Sequence, residues 1–407
     1  MAKNAIVGQS GGPTAAINAS LAGVYEACLH YGADRVYGMR NGVQGLLEKR
    51  VVDLAQVLPT SMEVELLKRT PSSFLGSCRF KLPAADSGDA VYETLFAILE
   101  ELEIAWFFYI GGNDSMDTIA KLSAYGNRIG SPIRFIGVPK TIDNDLMVTD
   151  HTPGYGSAAK FVATVMKELV CDSTVYDMRA VTIVEVMGRD SGWLTAAAAL
   201  ARGADCDGVD MICLPEVPFD TDAFIAKVDA LQKTKKSLVI AVSEGIRTAD
   251  GRYVCEEAVA SAKVDAFGHK SLTGTAQYLA ARLSEALGTK TRAVELSTLQ
   301  RSASHIASYT DITEACQVGG AAVKAAAEGH TGEMIALERL ADDPYQCIAV
   351  PHDVNEVANL AKTVPLEWIS EDHTDLLPAF ERYARPLIEA ELPPMYVDGL
   401  PRHIRLK

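Results

Sequence analysis

Short runs of apolar and β-branched residues recur along the chain, at 5–8, 104–110, 133–138, 181–186, 238–242 and 293–296. Between them lie longer stretches, notably 15–31, 158–170 and 272–287, in which apolar residues return near i, i+3 and i+4. The short runs predict strands and the periodic stretches predict helices. Their alternation is the βαβα pattern of a mainly parallel sheet, so the expected fold class is α/β.

The residues that follow these strands are unusual. Down the chain they read GQSGGPT, GGNDS, PKTIDND, MGRDSG, SEG and STLQR: small, hydroxyl-bearing or charged in every case. Ligands of open α/β sheets bind outside the carboxyl ends of the strands. Repetition of this kind therefore predicts a large phosphate-type site. PKTIDND at 139–145 is the richest loop, with one lysine, one threonine hydroxyl and two carboxylates. It reads as a phosphate-and-metal loop; the plain alternative is a turn in which Asp143 and Asn144 close their own backbone.

The other loops carry the same two readings. In Ser10–Thr14 the glycines Gly11 and Gly12 let a phosphate approach free N–H groups at a helix start, or Thr14 simply caps the helix. Gly111, Gly112, Asn113, Asp114 and Ser115 again allow close approach, but Asp114 would repel a phosphate directly above it. That aspartate either meets a metal or excludes part of a larger ligand, and GGND is also a competent turn. Arg189, in the glycine turn of MGRDSG, suits bidentate phosphate contacts. Glu244 is placed to accept hydrogen bonds from a sugar hydroxyl. Arg79 in SSFLGSCRFK is a further clamp, and Arg292 and Arg301 bracket STLQ, although such arginines ordinarily make surface ion pairs. No Walker A sequence is present, and the looser dinucleotide fingerprint at Gly154, Gly156 and Ala159 follows DHTP rather than a strand.

Composition narrows the class. The 407 residues suffice for two domains, with 48% hydrophobic and 22% charged positions and no low-complexity tract. The longest apolar runs, 104–110 and 194–201, fall far short of the roughly 20 residues of a membrane span. A strand expected from residue 5 leaves no room for a signal peptide. Eight scattered cysteines form no CxxC pair, which predicts reduced thiols and a cytoplasmic protein. A net charge of −15 argues against a nucleic-acid partner. Any phosphate site must then concentrate Arg and Lys locally, shielded from the acidic surface over a Debye length of about 8 Å. The polar stretch 248–271 is a plausible crossing between lobes, and the acidic residues 316–407 read as an extension packed on the second lobe.

GQSGGPTAAIN, SFLGSCRF, GGNDS, PKTIDND, EVMGR, SEG and RAVELSTLQR resemble, in order and spacing, the signature blocks of the phosphofructokinase family, over roughly residues 3–325. The resemblance implies two Rossmann-like lobes with mainly parallel sheets and an active site in the cleft between them. It implies a phosphoryl-donor lobe of 1–154 plus about 271–315, a sugar-phosphate lobe of 155–270, and the C-terminal extension. Asp143 would then be the base on the 1-hydroxyl of fructose 6-phosphate, with Thr141 and Asp145 holding phosphate and metal. Met187, Gly188 and Arg189 would line the sugar phosphate, with Glu244 on the sugar hydroxyls. Arg292 and Arg301 would grip the 6-phosphate, one of them from a neighbouring subunit of a homodimer or homotetramer, and Arg179 lies near another cross-subunit arginine. Gly11, Gly12, Arg79, Gly112, Asn113 and Ser115 would face the donor.

Asp114 and Lys140 resemble the pyrophosphate-dependent branch, since ATP-using members carry glycine at both places. An aspartate against a nucleotide phosphate is costly: like charges 4 Å apart repel by roughly 4 kcal/mol at an effective dielectric of about 20. Lys140 would supply a cation where pyrophosphate leaves its second phosphate. The implied reaction is reversible transfer from pyrophosphate to fructose 6-phosphate, a glycolytic and gluconeogenic step, with Mg²⁺ as cofactor. Asn113 stands where the family has a metal-binding aspartate and offers only a neutral oxygen. The alternatives are an ATP-dependent phosphofructokinase, a silent regulatory paralogue and, on the fingerprint alone, a dehydrogenase.

Overall fold

The computed structural model describes residues 4–88, 90–175, 177–257, 274–357 and 360–406. A seven-stranded sheet is built from β1 (Asn4–Gln9), β2 (Val36–Met39), β3 (Val51–Asp53), β4 (Ile104–Gly111) and β5 (Arg134–Pro139). A second sheet holds β6 (Ala180–Val186), β7 (Met211–Cys213), β8 (Ser237–Ser243) and β9 (Lys290–Glu295). The chain then returns to the first sheet with β10 (Glu333–Asp342) and β11 (Tyr345–Asp353). The first sheet runs β11-β10-β5-β4-β1-β2-β3 and the second β7-β8-β6-β9. Pairing is parallel throughout the second sheet and antiparallel in the first only at β2/β3 and β10/β11. These are the two lobes of the α/β class expected.

Both sheets are covered on two faces, which is why their strands are almost continuously apolar. Along β4, Phe108 and Ile110 face a core with Ile17 and Leu21, while Phe107 and Tyr109 face one with Phe96 and Phe135. Along β6, Val184 and Val186 join Val162 and Trp193, while Val181 and Ile183 join Leu238 and Leu279. The alternation follows from the two-residue period of a strand. On the first lobe the helix Ile17–His30 lies directly against the helix Tyr309–Glu328. A methyl group on Gly23 would fall 2.1 Å from the Cys316 carbonyl oxygen, and one on Gly319 would fall 2.3 Å from that of Ser20. Only backbone-to-backbone contact fits between them.

Two expectations about domain limits fail. Residues 275–295 do not belong with the donor lobe: β9 pairs in parallel with β6, and the helix Thr275–Leu287 buries Ala276, Leu279 and Leu283 against the second sheet. Sheet pairing, not proximity in sequence to a motif, decides membership. Nor is 316–407 a peripheral extension of the second lobe alone. The helix Tyr309–Glu328 and the β10/β11 hairpin complete the first lobe, and Val364, Ile369, Phe380 and Leu387 then enter the core of the second. The crossing expected within 248–271 and the helix start expected at 272 fall largely on 258–273, outside the described residues. Among the described residues no helix is long and apolar enough to cross a membrane.

Candidate active site

The carboxyl ends of β1, β4, β5, β6 and β8, with the turn after β9, open into one cleft of about 460 Å³. Gly11, Gly12, Arg79, Gly112, Asn113, Asp114, Ser115, Lys140, Thr141, Asp143, Asp145, Met187, Arg189, Glu244 and Arg301 all line it. Gly188 stands just behind. Its amide donates to Glu244 Oε1 at 3.4 Å, and its carbonyl accepts from Ser243 Oγ at 2.5 Å.

Arg292 is the exception. It lies in the first half of β9, is exposed, and pairs with Asp172 at 3.4 Å beside a separate groove shared with Met178 and Lys290. Its side chain leaves the sheet at the end away from its own chain's cleft, whereas Arg301 lines that cleft. Arg179, likewise exposed, pairs with Asp229 at 3.1 Å.

Lys140 lies at the centre of the first lobe's side of the cleft. It is only 3% exposed, and its Nζ donates to the Gly12 carbonyl at 2.6 Å. Its backbone N–H donates to the Gly111 carbonyl at 3.0 Å, which ties the β5 loop to the β4 loop. Burial pulls the ammonium down to about 8, opposed by the charge of Asp143. Glycines at 11 and 12 leave room for two cations. A methyl on Gly11 would sit 3.2 Å from Lys140 Nζ, and one on Gly12 would sit 3.0 Å from an Arg301 guanidinium nitrogen. The sequence assigned these glycines to the phosphate alone, but they also admit the cations that would meet it. Thr14 is not the N-cap, which is Ala16, but its hydroxyl accepts from the Ala16 and Ile17 N–H groups at 3.2 and 2.9 Å.

Three carboxylates face these cations. Burial pushes Asp143 up, opposed by Lys140, Arg189 and Arg301. Burial and then the charge of Asp143 push Asp145 up to about 7. Burial pushes Glu244 up to about 7, against the pull of the Gly188 amide. The Asp143 N–H donates to Thr141 Oγ1 at 3.1 Å, and Ser191 Oγ donates to the Asp143 carbonyl at 3.1 Å, so both lobes hold the loop. Asp114 is exposed in the first turn of the helix Asn113–Arg128. Asn113 Nδ2 donates to the Leu360 carbonyl at 3.0 Å, and Oδ1 is buried with no partner among the described residues. A buried free amide oxygen and the Asp145 carboxylate are the oxygen donors a hard cation takes. Among the described residues no three His, Cys, Asp or Glu side chains converge on a point.

Sequence reasoning missed Asp190, Ser191, Leu360 and Ala361, which also line the cleft. The first two sit inside MGRDSG and were legible as loop residues after a strand. The other two, far down the chain in an apolar and unremarkable stretch, carry no local signal.

The loop leaving the site is anchored by buried His151, whose Nδ1 lies 2.8 Å from Asp150 and Nε2 2.7 Å from Glu314. Burial disfavours its charge, but Glu314 and Asp150 overcome this and raise it from 6.5 to about 9. Stability from this raised value is fully present below pH 6.5 and lost as pH climbs through about 9. Urea midpoints of the native chain should therefore fall between pH 7 and 10, and His151→Gln should flatten that fall. An equally steep fall in the variant would remove His151 as its source.

A family profile for phosphofructokinase matches residues 4–326. The chain is 41% identical over 410 residues to a pyrophosphate–fructose 6-phosphate 1-phosphotransferase of Methylococcus capsulatus, covering 100% of this chain and 96% of the relative. A protein of that name from Xanthomonas campestris is 41% identical over 408 residues, covering 99% and 96%. The solved structure of a pyrophosphate-dependent phosphofructokinase from Nitrosospira multiformis superposes with a TM-score of 0.90 at 39% identity, covering 100% of this chain and 97% of that one.

Proposed function

Because the chain belongs to the phosphofructokinase family, we infer that it is a pyrophosphate-dependent enzyme that phosphorylates the 1-hydroxyl of fructose 6-phosphate. The products are fructose 1,6-bisphosphate and orthophosphate, and the step serves glycolysis and its reversal. The observation that carries the donor reading is the pair Asp114 and Lys140 on one cleft, with Lys140 Nζ fixed on the Gly12 carbonyl. A buried cation suits a small polyanion, and an aspartate beside it opposes the phosphate chain of a nucleotide.

The roles proposed follow from placement. Pyrophosphate lies against Gly11, Gly12, Arg79, Gly112, Ser115 and Lys140. Fructose 6-phosphate lies against Thr141, Met187, Arg189, Glu244 and Arg301, with Gly188 behind them holding Glu244. Asp143 removes the proton of the 1-hydroxyl; that oxygen bonds to the near phosphorus as the bridging P–O bond breaks, and Lys140 offsets charge on the departing phosphate. Asp143 must be ionised to do so, and Lys140, Arg189 and Arg301 are the charges that favour its ionised form against burial.

Mg²⁺, where bound, would neutralise charge on pyrophosphate. Asn113 and Asp145 would hold it, with the phosphates supplying the remaining oxygens. Arg292, pointing away from its own cleft, is assigned to the sugar phosphate of a neighbouring subunit in a homodimer or homotetramer. A cytoplasmic location is proposed from the free cysteines.

The test is formation of fructose 1,6-bisphosphate from fructose 6-phosphate and Mg²⁺, with pyrophosphate and ATP in parallel. Turnover is expected with pyrophosphate, and Asp143→Asn should lower kcat by on the order of 10²–10⁴. Turnover with ATP alone would overturn the donor reading, and near-normal turnover of Asp143→Asn would remove it as the base.

A further inference from the structure

The family match ends at residue 326, yet the chain beyond it returns to the catalytic loop. Asn144, between Asp143 and Asp145, is fully buried and adopts φ 53°. Asparagine tolerates this left-handed conformation, and the turn it makes puts both flanking aspartates on the cleft. Its amide is held at both ends. Nδ2 donates to the Tyr383 hydroxyl at 2.8 Å, and Oδ1 accepts from the Thr152 N–H at 3.0 Å. The Tyr383 hydroxyl donates onward to the Asp150 carbonyl at 2.8 Å.

Tyr383 is itself fixed. Its ring packs on Trp193 and Trp368 with centroids 5.2 and 5.4 Å away, under the Arg339 guanidinium at 4.7 Å. Nearby, the Lys362 N–H donates to the Asp145 carbonyl at 2.7 Å, and its Nζ donates to the Thr149 and Asp150 carbonyls at 3.0 and 2.6 Å. Trp193 Nε1 donates to the Lys362 carbonyl at 3.1 Å.

We propose that Tyr383 is a positioning residue for the phosphoryl transfer, setting the aim of Asp143 and Asp145 through the side chain of Asn144, with Lys362 clamping the same loop. The inference rests on the phosphotransferase reading of the cleft. Small misplacements of reacting groups cost turnover steeply, whereas a tyrosine that only packed would affect stability alone.

Tyr383→Phe keeps the ring and removes the hydroxyl. Assayed below its melting temperature, it should lose about 10- to 100-fold in kcat with KM for both substrates nearly unchanged. Combined with Asn144→Ala it should lose no more than Asn144→Ala alone, because both remove the same link. Amide exchange at Thr152 should quicken in Tyr383→Phe. A lowered melting temperature with unchanged kcat, or additive losses in the double variant, overturns the proposal. If the native chain turns over neither donor, the phosphotransferase reading fails separately, and unchanged exchange at Thr152 then overturns the positioning role. Should Tyr383→Phe not fold, Lys362→Met must show the same loss of kcat at steady KM; native kcat there is equally fatal.

Discussion

A buried ammonium, with no ion-pair partner at hydrogen-bond distance among the described residues, organises the first lobe's side of the cleft. Lys140 sits under the β1 loop with its charge on the Gly12 carbonyl, and burial already draws it down to about 8. A cation kept in that position is costly unless an anion is supplied. Asp143 and Asp145 lower the cost by their charge, and a bound polyphosphate would lower it further. The neighbouring features follow from this. Gly11, at φ 74°, holds a conformation that favours glycine, a side chain at 11 or 12 would press on Lys140 or Arg301, and the Lys140 N–H joins the β5 loop to the β4 loop.

The two lobes contribute unlike things to the cleft. The first brings the glycine turns, Asp114, Lys140 and the aspartate loop. The second brings Arg189, Glu244 and, from the short helix Leu299–Ser302 after β9, Arg301. At the loop they meet through Ser191 on the Asp143 carbonyl and through Ile142, which is buried in the core of the second lobe. This contact is reinforced from behind by the C-terminal chain, which passes from the first sheet into the second core. A segment that seemed an appendage thus helps join the lobes.

The strands that carry motifs were legible because each is a short apolar run ending in residues with chemistry, and β1, β4, β5, β6 and β8 lie close to where the hydrophobic pattern puts them. β2, β3 and β10, towards the margins of the first sheet, were not. β2 and β3 are short, and β10 passes from Ile335 and Leu337 into charged residues as it leaves the core. Those features resemble loop. Site residues next to a strand end were found in the same way, while Leu360, Ala361 and Tyr383 were not, since only tertiary packing brings them there. Arg292 shows the converse limit: it lies in a matching segment, but its strand position sends the side chain out of its own cleft.

The central proposal is that Lys140 receives pyrophosphate. Calorimetric titration of Mg-pyrophosphate into the native protein and into Lys140→Met tests it directly. Pyrophosphate affinity should weaken by on the order of 10²-fold or more, while fructose 6-phosphate still binds as in the native chain. Unchanged pyrophosphate affinity in that variant would contradict the account.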